Sequence, residues 1–364
     1  MIANLMSNTV KKPETKIINK LFFKTLLSSG SATISLNNCQ QNALKKFQSK
    51  LNQGTYSFEE VSCLCGSNDD YLIATRDRYG LDCDTCLCKK CGLLRTSKRL
   101  ASNSLARFYD EDYRPIYVGD IQAPDSFFVE QIEHGKDIYQ FIASHVELSQ
   151  SKTIFEVGCG AGGILLPFKE AGHATFGCDL GSNYLQRGRD KGLLLEHGDI
   201  DVLAQFGKAD LVILSHVLEH FENPILELKK IRDSLTDNGY LYIEVPGIFA
   251  IYKTYGKTIN FLQNAHLYHF TLNTLTFVLA QAGFKLVWGD ENICALFQKH
   301  NDVDVTSNPK EAGSILNYLY SVEIKNKLTF IRNTIRRIKG NILKPVKCIL
   351  GDDVVNYLKT ITRN

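Results

Sequence analysis

The sequence predicts an α/β fold: a parallel sheet covered by helices, with a small cysteine-rich module before it and a basic helix after it. Apolar strand-like runs alternate with helical segments from residue 151 to residue 300. Six of the eleven cysteines lie between residues 63 and 91, and isoleucine recurs at helical spacing near the C-terminus. We therefore expect five segments: a poorly ordered leader (1–58), the cysteine module (59–115), a linking helix (116–150), the α/β domain (151–300) and a helical basic tail (301–364).

The composition is that of a globular protein, with 44% apolar and 22% charged residues. The sequence contains no apolar run of 18 residues, which a membrane-spanning helix would need. Its first residues lack the apolar stretch and the cleavage site of a secretory signal. These observations predict a cytoplasmic protein.

The net charge of +3 is unevenly distributed along the chain. Residues 1–50 carry eight lysines against one acid, Glu14, and residues 322–348 carry eight lysines or arginines against Glu323. The remaining residues are therefore acidic on balance. This distribution argues against a nucleic-acid partner for the central domain.

Local patterns place the individual elements. One helix is expected around residues 40–51, and apolar spacing predicts a longer helix over residues 125–147. Asn238 and Gly239 predict the end of the helix that begins at Asn223. The last two strands are close enough in sequence to pair as an antiparallel hairpin. The predicted strands of the domain, in order, are TIFEV, ATFGCD, GLLLEHGD, ADLVILSHV, YLYIEVP, KLVWGDE and NICALFQKH.

A glycine-rich loop follows the first of these strands. Gly158, Gly160 and Gly162 lack a Cβ, so the chain can turn tightly and a ligand can approach the backbone. Ligands of open parallel sheets bind at the carboxyl ends of the strands. Asp179 ends the next strand, 21 residues after Gly158, where a carboxylate can accept both hydroxyls of a ribose. A dinucleotide and S-adenosylmethionine fit this pattern equally.

Glu156 separates these two ligands, because it lies just before the first glycine. Its carboxylate would repel a pyrophosphate but attract the sulfonium and amino groups of S-adenosylmethionine. Asp199, at the end of the third strand, can accept a hydrogen bond from the exocyclic amine of adenine. The residues therefore favour S-adenosylmethionine as the cofactor.

The segments EVGCGAG, GCDL, HGDI, ADLVILSHVLEHFENP and DNGYLYIEVP resemble class I S-adenosylmethionine-dependent methyltransferases. The resemblance implies a Rossmann-like sheet of order 3-2-1-4-5-7-6 with the last strand antiparallel. It places Ser215 and His216 near the methyl donor. The expected cofactor-binding residues are Glu156, Gly158, Gly160, Gly162, Asp179, Asp199 and Ser215.

The cysteine module contains two pairs, each followed by glycine: Cys63 with Cys65, and Cys88 with Cys91. Four thiolates can bind one structural zinc ion and leave no coordination position open for a substrate. The pattern resembles a zinc ribbon, but the first pair has one intervening residue where two are usual. Cys83 and Cys86 form an alternative pair, so more than one ligand set stays open.

A zinc module before such a domain is also a feature of the sugar C-methyltransferases that act on nucleotide-linked sugars, a family that residues 60–300 resemble. The resemblance implies a sugar or nucleotide-linked sugar as acceptor, bound between module and domain. In QNAHLYHFT the base of that family aligns with His266, and Tyr268 and His269 lie beside it. The acid that precedes the base in the family is Ala265 here, so O-methylation is as compatible with the sequence as C-methylation.

His216 and His220 are the other imidazoles expected near the donor, and the candidate catalytic residues are His266, Tyr268 and His216. Methyl transfer needs a positioned acceptor and a group that removes its proton. His266 also has a non-catalytic interpretation, as a histidine that caps the following helix or binds substrate passively. For His220, packing and hydrogen bonding are the favoured role.

Alternatives stay open for the tail and for the function. The basic tail is either a solvated helix packed on the domain or a peripheral contact with anionic lipid. The acceptor could instead be a small aromatic or quinone precursor. The chain could also be a scaffold that binds the cofactor without turnover.

Overall fold

The computed structural model describes residues 16–17, 26–27, 30–119, 125–148 and 150–334 of the protein. Its strands are β1 (Lys16–Ile17), β2 (Phe58–Glu60), β3 (Asp70–Arg76), β4 (Asp82–Cys88), β5 (Leu94–Leu100), β6 (Thr153–Val157), β7 (Ala174–Asp179), β8 (Leu194–His197), β9 (Ala209–Ser215), β10 (Leu235–Glu244), β11 (Tyr268–His269), β12 (Phe284–Gly289) and β13 (Cys294–Lys299). Its α-helices are α1 (Asn38–Asn52), α2 (Ser102–Phe108), α3 (Arg114–Tyr117), α4 (Asp125–Ala143), α5 (Leu165–Glu170), α6 (Ser182–Arg189), α7 (Pro224–Ser234), α8 (Ile251–Thr254), α9 (Thr258–Phe261), α10 (Leu272–Gln281) and α11 (residues 311–334). A π-helix spans Tyr109–Tyr113, and 3₁₀ helices span Ile200–Phe206, Leu218–His220 and Ile248–Ala250.

The larger sheet has seven strands and lies at the centre of the α/β domain. Its order is β12-β13-β10-β9-β6-β7-β8. The strands from β6 to β10 run parallel, β13 pairs antiparallel with β10, and β12 pairs antiparallel with β13. Counted within the domain, this order is 3-2-1-4-5-7-6 with strand seven antiparallel, the arrangement that the resemblance implies. The predicted hairpin of the last two strands is confirmed.

Helices cover both faces of this sheet, because successive strand residues present apolar side chains to opposite faces. On one face, Phe155 and Val212 pack with residues of α7 and α10. On the other face, Ile154 and Leu211 pack with residues of α4 and α5. The predicted linking helix, α4, is therefore part of the outer layer of the domain.

The helix before β10 ends earlier than its sequence predicts. α7 ends at Ser234, ahead of the expected stop at Asn238 and Gly239. Leu235 is buried and pairs with Ala209 of β9, so burial of this side chain draws the chain into the sheet at that point. The pairing of β10 with β9 is irregular between Leu235 and Tyr240, and Asn238 and Gly239 lie in this interruption.

The smaller sheet, of order β1-β3-β4-β5-β11 with β2 beside β5, carries the cysteine module. α1 packs on the module through Phe47, which is fully buried against Tyr56 and Phe108. The helix lies where the sequence predicts it, but the expectation of a poorly ordered leader is wrong for residues 38–58, because Phe47 belongs to the core of the module. Most of residues 1–29 lie outside the described residues.

β11 joins the module to the domain. Its two residues, Tyr268 and His269, pair antiparallel with Arg95 and Leu94 of β5. The buried guanidinium of Arg95 also donates two hydrogen bonds to Asp70, at 3.0 and 2.8 Å. The segment that carries the predicted catalytic residues 266 and 268 is therefore fixed between the two sheets.

α11 follows the domain and forms the described part of the predicted basic tail. One face of its first turns is buried, and residues 335–364 lie outside the described residues. Across the part of the chain that the structure describes, no helix combines the length and the apolar composition needed to cross a membrane.

Replacing Asp70 by alanine should lower the free energy of unfolding by about 3–5 kcal/mol, because the buried guanidinium of Arg95 loses its partner. Asp69→Ala is the matched control, since the Asp69 side chain is 65% exposed beside Lys89 and such surface pairs contribute about 1 kcal/mol or less. Urea unfolding followed by circular dichroism measures both variants. Equal losses of stability would contradict the role given to the buried pair.

Candidate functional site

The predicted glycine loop lies at the carboxyl end of β6. Gly158, Gly160 and Gly162 have positive φ angles of 71°, 55° and 75°. A Cβ atom on Gly158 would lie 2.5 Å from Cγ2 of Val217, so a side chain does not fit there. The N–H of Gly158 donates to the carbonyl of Cys178 at 2.8 Å, which closes the loop onto β7.

Asp179 holds this loop from the end of β7. One carboxylate oxygen accepts a hydrogen bond from the N–H of Gly160 at 2.8 Å, and the other accepts from the N–H of Gly181 at 2.6 Å. The guanidinium of Arg114 lies 3.5 Å from the same carboxylate and stacks over the ring of Tyr184. A ribose would therefore have to compete with Arg114 for the oxygens of Asp179.

Glu156 lies beneath the loop, and only 2% of the residue is exposed. Its Oε2 atom has no hydrogen-bond partner among the described residues. Burial, and secondarily the negative charge of Asp179, raise the pKa of its carboxyl well above the ordinary value. This corrects the expectation of an anion that borders the pocket, because a charge at Glu156 requires a cation or a hydrogen-bond donor beside it.

Two further predicted cofactor contacts, Asp199 and Ser215, lie at the carboxyl ends of β8 and β9. Asp199 follows β8 and caps the next 3₁₀ helix, since its side chain accepts from the N–H of Asp201 at 3.1 Å. Half of the Asp199 side chain is exposed, so a ligand can reach it. Ser215 ends β9, and its hydroxyl donates to Glu244 at 3.3 Å.

Sequence reasoning misses two residues of this edge, His134 of α4 and Glu244 of β10. The Nε2 atom of His134 lies 2.6 Å from the Glu244 carboxylate. This hydrogen bond outweighs burial and raises the pKa of His134. Burial alone would raise the pKa of Glu244, but the hydrogen bond from His134 and the charge of His216 lower it overall. Glu244 could have been found, because it ends a strand at the ligand-binding edge, whereas no local signal marks His134.

His216 is the predicted histidine that is exposed at this edge. It follows β9 with a φ of 56°, a conformation that is strained for residues other than glycine, and its side chain is 55% exposed. Its Nδ1 lies 3.7 Å from Glu219, and its Nε2 lies 3.9 Å from Glu244. Burial acts to lower the pKa of His216, but Glu219 and then Glu244 raise it overall. The two acids therefore favour proton uptake by this imidazole.

His266 lies deeper, in a cluster with Glu219 and His220. It is 7% exposed, and its Nε2 contacts the side-chain amide of Gln263 and lies 3.7 Å from Glu219. Burial, reinforced by the charges of neighbours such as His220 and His269, lowers the pKa of His266 well below its ordinary value. An enclosed, neutral imidazole suits a structural or positioning role better than proton transfer to a ligand.

The ligand atoms of Glu219, His220 and His266 lie within 4.8 Å of one another, which is compatible with a metal ion. Two of these groups already have partners, however. Nε2 of His266 contacts Gln263, and Nδ1 of His220 lies 2.9 Å from the carbonyl of Ala265. We therefore assign no metal to this cluster.

Tyr268, the third predicted catalytic residue, is buried where the domain meets the module. Its hydroxyl donates to the carbonyl of Glu222 at 3.3 Å and lies 3.4 Å from Arg99 of β5. Burial raises the pKa of this hydroxyl. The position does not support catalysis by Tyr268. The helix after this segment is capped by Thr271 and not by His266, so the capping interpretation of His266 is wrong.

The four outer cysteines converge in the module. Sγ of Cys63 lies 3.4 Å from that of Cys91, Sγ of Cys65 lies 3.6 Å from that of Cys88, and all four lie within 4.8 Å. Thiolates at about 2.3 Å from a tetrahedral zinc ion are about 3.8 Å apart, so these residues fit one zinc ion. Glycine at a φ of 78° follows each pair, at Gly66 and Gly92.

The alternative pair, Cys83 and Cys86, lies outside this cluster. Sγ of Cys83 contacts the hydroxyl of Thr96 at 3.7 Å, and Sγ of Cys86 contacts that of Ser97 at 3.3 Å. Burial raises the pKa of the Cys83 thiol to about 12, as expected for an inert buried thiol. Of the ligand sets that the sequence leaves open, the structure therefore favours the outer four.

Residues 127–288 match the model of a family described as a methyltransferase domain. The matched segment contains the glycine loop, Asp179, His216 and Glu244. A search of curated proteins finds no match to the chain. The segment is thus similar to a methyltransferase domain, and this match supports an enzyme.

Solved structures of methyltransferases resemble parts of the chain. The magnesium protoporphyrin IX methyltransferase of Synechocystis PCC 6803, with bound S-adenosylhomocysteine, is 18% identical over 55% of this chain and 100% of its own, with a TM-score of 0.38. A methyltransferase of Archaeoglobus fulgidus that depends on S-adenosylmethionine is 20% identical over 54% and 87%, with a TM-score of 0.37. One from Methanosarcina mazei is 17% identical over 45% and 99%, with a TM-score of 0.36. At these TM-scores the likenesses carry no conclusion about this chain.

Elemental analysis of the purified protein should find about one zinc ion per chain. The Cys88→Ser/Cys91→Ser variant should lose this zinc, because two of the four converging thiolates are removed. The Cys83→Ser/Cys86→Ser variant should keep it, because those sulfurs face hydroxyl groups of β5. Zinc that persists in the first variant, or disappears from the second, would overturn the ligand assignment.

Proposed function

We propose that this methyltransferase takes its methyl group from S-adenosylmethionine and transfers it to a sugar or a nucleotide-linked sugar. One observation carries the proposal: an exposed histidine lies between two acids at the carboxyl edge of the sheet, close to the strand ends that hold the glycine loop. The residues concerned are His216, Glu219 and Glu244, with Asp179 at the loop itself.

The acidic character of this edge supports a cationic donor that carries no phosphate. Asp179 and Glu244 would repel a pyrophosphate, whereas they attract the sulfonium and amino groups of S-adenosylmethionine. In this proposal Asp179 accepts hydrogen bonds from the ribose hydroxyls, and Asp199 accepts one from the adenine amine.

His216 is the residue to which we assign proton removal from the acceptor. S-adenosylmethionine, when bound, supplies an electrophilic methyl group, so the chain itself must orient the acceptor and take up its proton. The proton leaves a hydroxyl group, or a carbon next to a carbonyl, for the unprotonated nitrogen of His216. Glu219 and Glu244 then stabilise the imidazolium that forms.

This assignment moves the base from His266 to His216. The ring of His216 is half exposed, whereas His266 is enclosed and contacts Gln263. We propose that His266 acts through Glu219, which lies 3.7 Å from both imidazoles. In that arrangement His266 is a positioning residue.

The sugar acceptor rests on the resemblance of residues 60–300 and is supported by the way the module joins the domain. Arg99 of β5 donates to the carbonyl of Glu222 at 3.0 Å, just beyond the segment that carries Glu219. Arg78 of the module contacts the side chain of Gln263, beside His266. The module therefore contributes polar groups beside the histidine cluster, as binding of a hydroxyl-rich acceptor would need. The zinc ion is structural in this proposal, because four thiolates fill its coordination sphere.

Transfer of tritiated methyl groups into separate pools of nucleotide sugars, lipid-linked glycans and quinone precursors tests the proposed function. Label in the nucleotide-sugar or glycan pool supports it. Label that appears only in the quinone precursors would contradict the proposed sugar acceptor but would still support S-adenosylmethionine as the donor. Binding of the donor without transfer to any pool would contradict turnover and favour a scaffold.

Replacing His216 by asparagine should lower kcat by about a hundredfold or more, because general-base catalysis contributes about that factor. The KM for the donor should change little, since the imidazole acts on the acceptor. Steady-state kinetics with the acceptor found in the label experiment measure both constants. An unchanged kcat would reject His216 as the base.

Glu219→Gln should move the acidic limb of the pH–rate profile to lower pH. Glu219 raises the pKa of His216, and only the unprotonated imidazole accepts a proton, so the rate rises as pH passes through that pKa. Without the charge of Glu219 the pKa falls, and the active form appears at lower pH. Glu133→Gln is the control, because Glu133 is exposed and paired with Lys136. Superimposable profiles for wild type and Glu219→Gln would contradict the coupling.

A further inference from the structure

α11 changes the face on which it carries apolar side chains. In its first half, Ile315, Leu319 and Val322 are fully buried in the core beside the module. In its second half, the aliphatic residues Ile324, Leu328 and Ile331 are 43%, 60% and 53% exposed. We call these last three residues the outer stripe. The helix is thus amphipathic in both halves. The outer stripe lies outside the core cluster that buries the first set, although Lys325 beside it contacts the ring of Tyr252 of α8 at 4.7 Å.

Helix geometry explains why the outer stripe is not buried. Each residue of an α-helix is rotated by about 100° from the one before, so Ile315, Leu319 and Val322 lie within about 60° of one another. The outer stripe is equally narrow, and its centre lies about 180° around the helix axis from the centre of the three buried residues. A straight helix whose first half packs on the protein must therefore turn this stripe away from it. The expected packing of the tail on the domain therefore holds for the first half of α11, while the side chains of the outer stripe remain largely exposed.

Basic side chains flank the outer stripe. Lys325 and Arg332 lie about 70–95° to one side of its centre, and Lys327 lies about 70° to the other side. The only acid in residues 322–348, Glu323, is buried on the inner side of the helix. An aliphatic stripe bordered by lysine and arginine is the pattern of helices that lie in the interface of a membrane, where the long basic side chains reach the headgroups.

We propose that the outer stripe of α11 binds the surface of a membrane that contains anionic phospholipids. The aliphatic side chains enter the acyl boundary, and the flanking cations contact the lipid phosphates. A second copy of the chain is the weaker occupant, because pairing two stripes would bring their rows of cations together. The sequence continues the same isoleucine spacing at Ile335, Ile338 and Ile342, among five further basic residues up to position 348. The proposal does not depend on the methyl donor or acceptor.

Sedimentation of the full-length protein with lipid vesicles tests this proposal. Wild type should bind vesicles of phosphatidylcholine mixed with phosphatidylglycerol, and binding should weaken as salt is added. Pure phosphatidylcholine vesicles should bind it far less. Absence of binding to the anionic vesicles at low salt would overturn the proposal.

Paired substitutions separate the stripe from general charge. Leu328→Asp/Ile331→Asp should weaken binding about a hundredfold, because two aliphatic side chains no longer enter the lipid. Thr329→Asp/Asn333→Asp is the matched control, with the same added charge on the same turns but away from the stripe, and it should bind more tightly than the stripe variant by at least about tenfold. Circular dichroism checks that both variants fold. Equal affinity of the two variants would contradict the proposal. So would analytical ultracentrifugation in which the wild type and the control variant are dimers and the stripe variant is a monomer.

Discussion

Crowding of negative charge at the carboxyl edge of the central sheet is the constraint on which the site depends. Parallel strands end at one edge, so Asp179, Ser215 and Glu244 all lie along that edge, at the ends of β7, β9 and β10. The loop accommodates this by turning an N–H of Gly160 toward Asp179. His216 adopts a strained φ and lies between two acids. A ligand that brings positive charge relieves the crowding, which is the physical basis of the proposed donor.

The cysteine module lies beside His266 because backbone pairing fixes it there. β5 pairs with β11, next to the histidine cluster, and the buried Arg95–Asp70 pair stabilises β5 from within the module. Glu311, at the start of α11, makes a second connection between the module and the domain. Its carboxylate accepts from Thr271 at 2.5 Å, and its side chain lies where a Cβ of Gly92 would be, beside the cysteine cluster. If the cysteine cluster binds the proposed zinc ion, loss of that ion would loosen the segment around β11 as well as the module.

The glycine loop and Asp179 could be predicted because each depends on a short stretch of sequence and on a rule about strand ends, whereas the order of the sheet was implied by the family resemblance. The cysteine pairs are equally local. Burial of Glu156 and His266 could not be predicted, since it depends on which elements cover them. His134 reaches the site only through the packing of α4 on the sheet. Pairing of β5 with β11 reversed the expectation for Tyr268, because it turned that ring toward Arg99. Tertiary contacts, and not propensity, decided each of these cases.

The selection of a cationic donor by this acidic edge is tested most directly by calorimetric titration of the purified protein with S-adenosylmethionine and, separately, with NAD⁺. The account predicts saturable binding of S-adenosylmethionine, no measurable binding of NAD⁺, and weaker donor binding by the Asp179→Asn variant, whose side chain keeps its size but loses its charge. Measurable binding of NAD⁺ together with no measurable binding of S-adenosylmethionine would contradict the account.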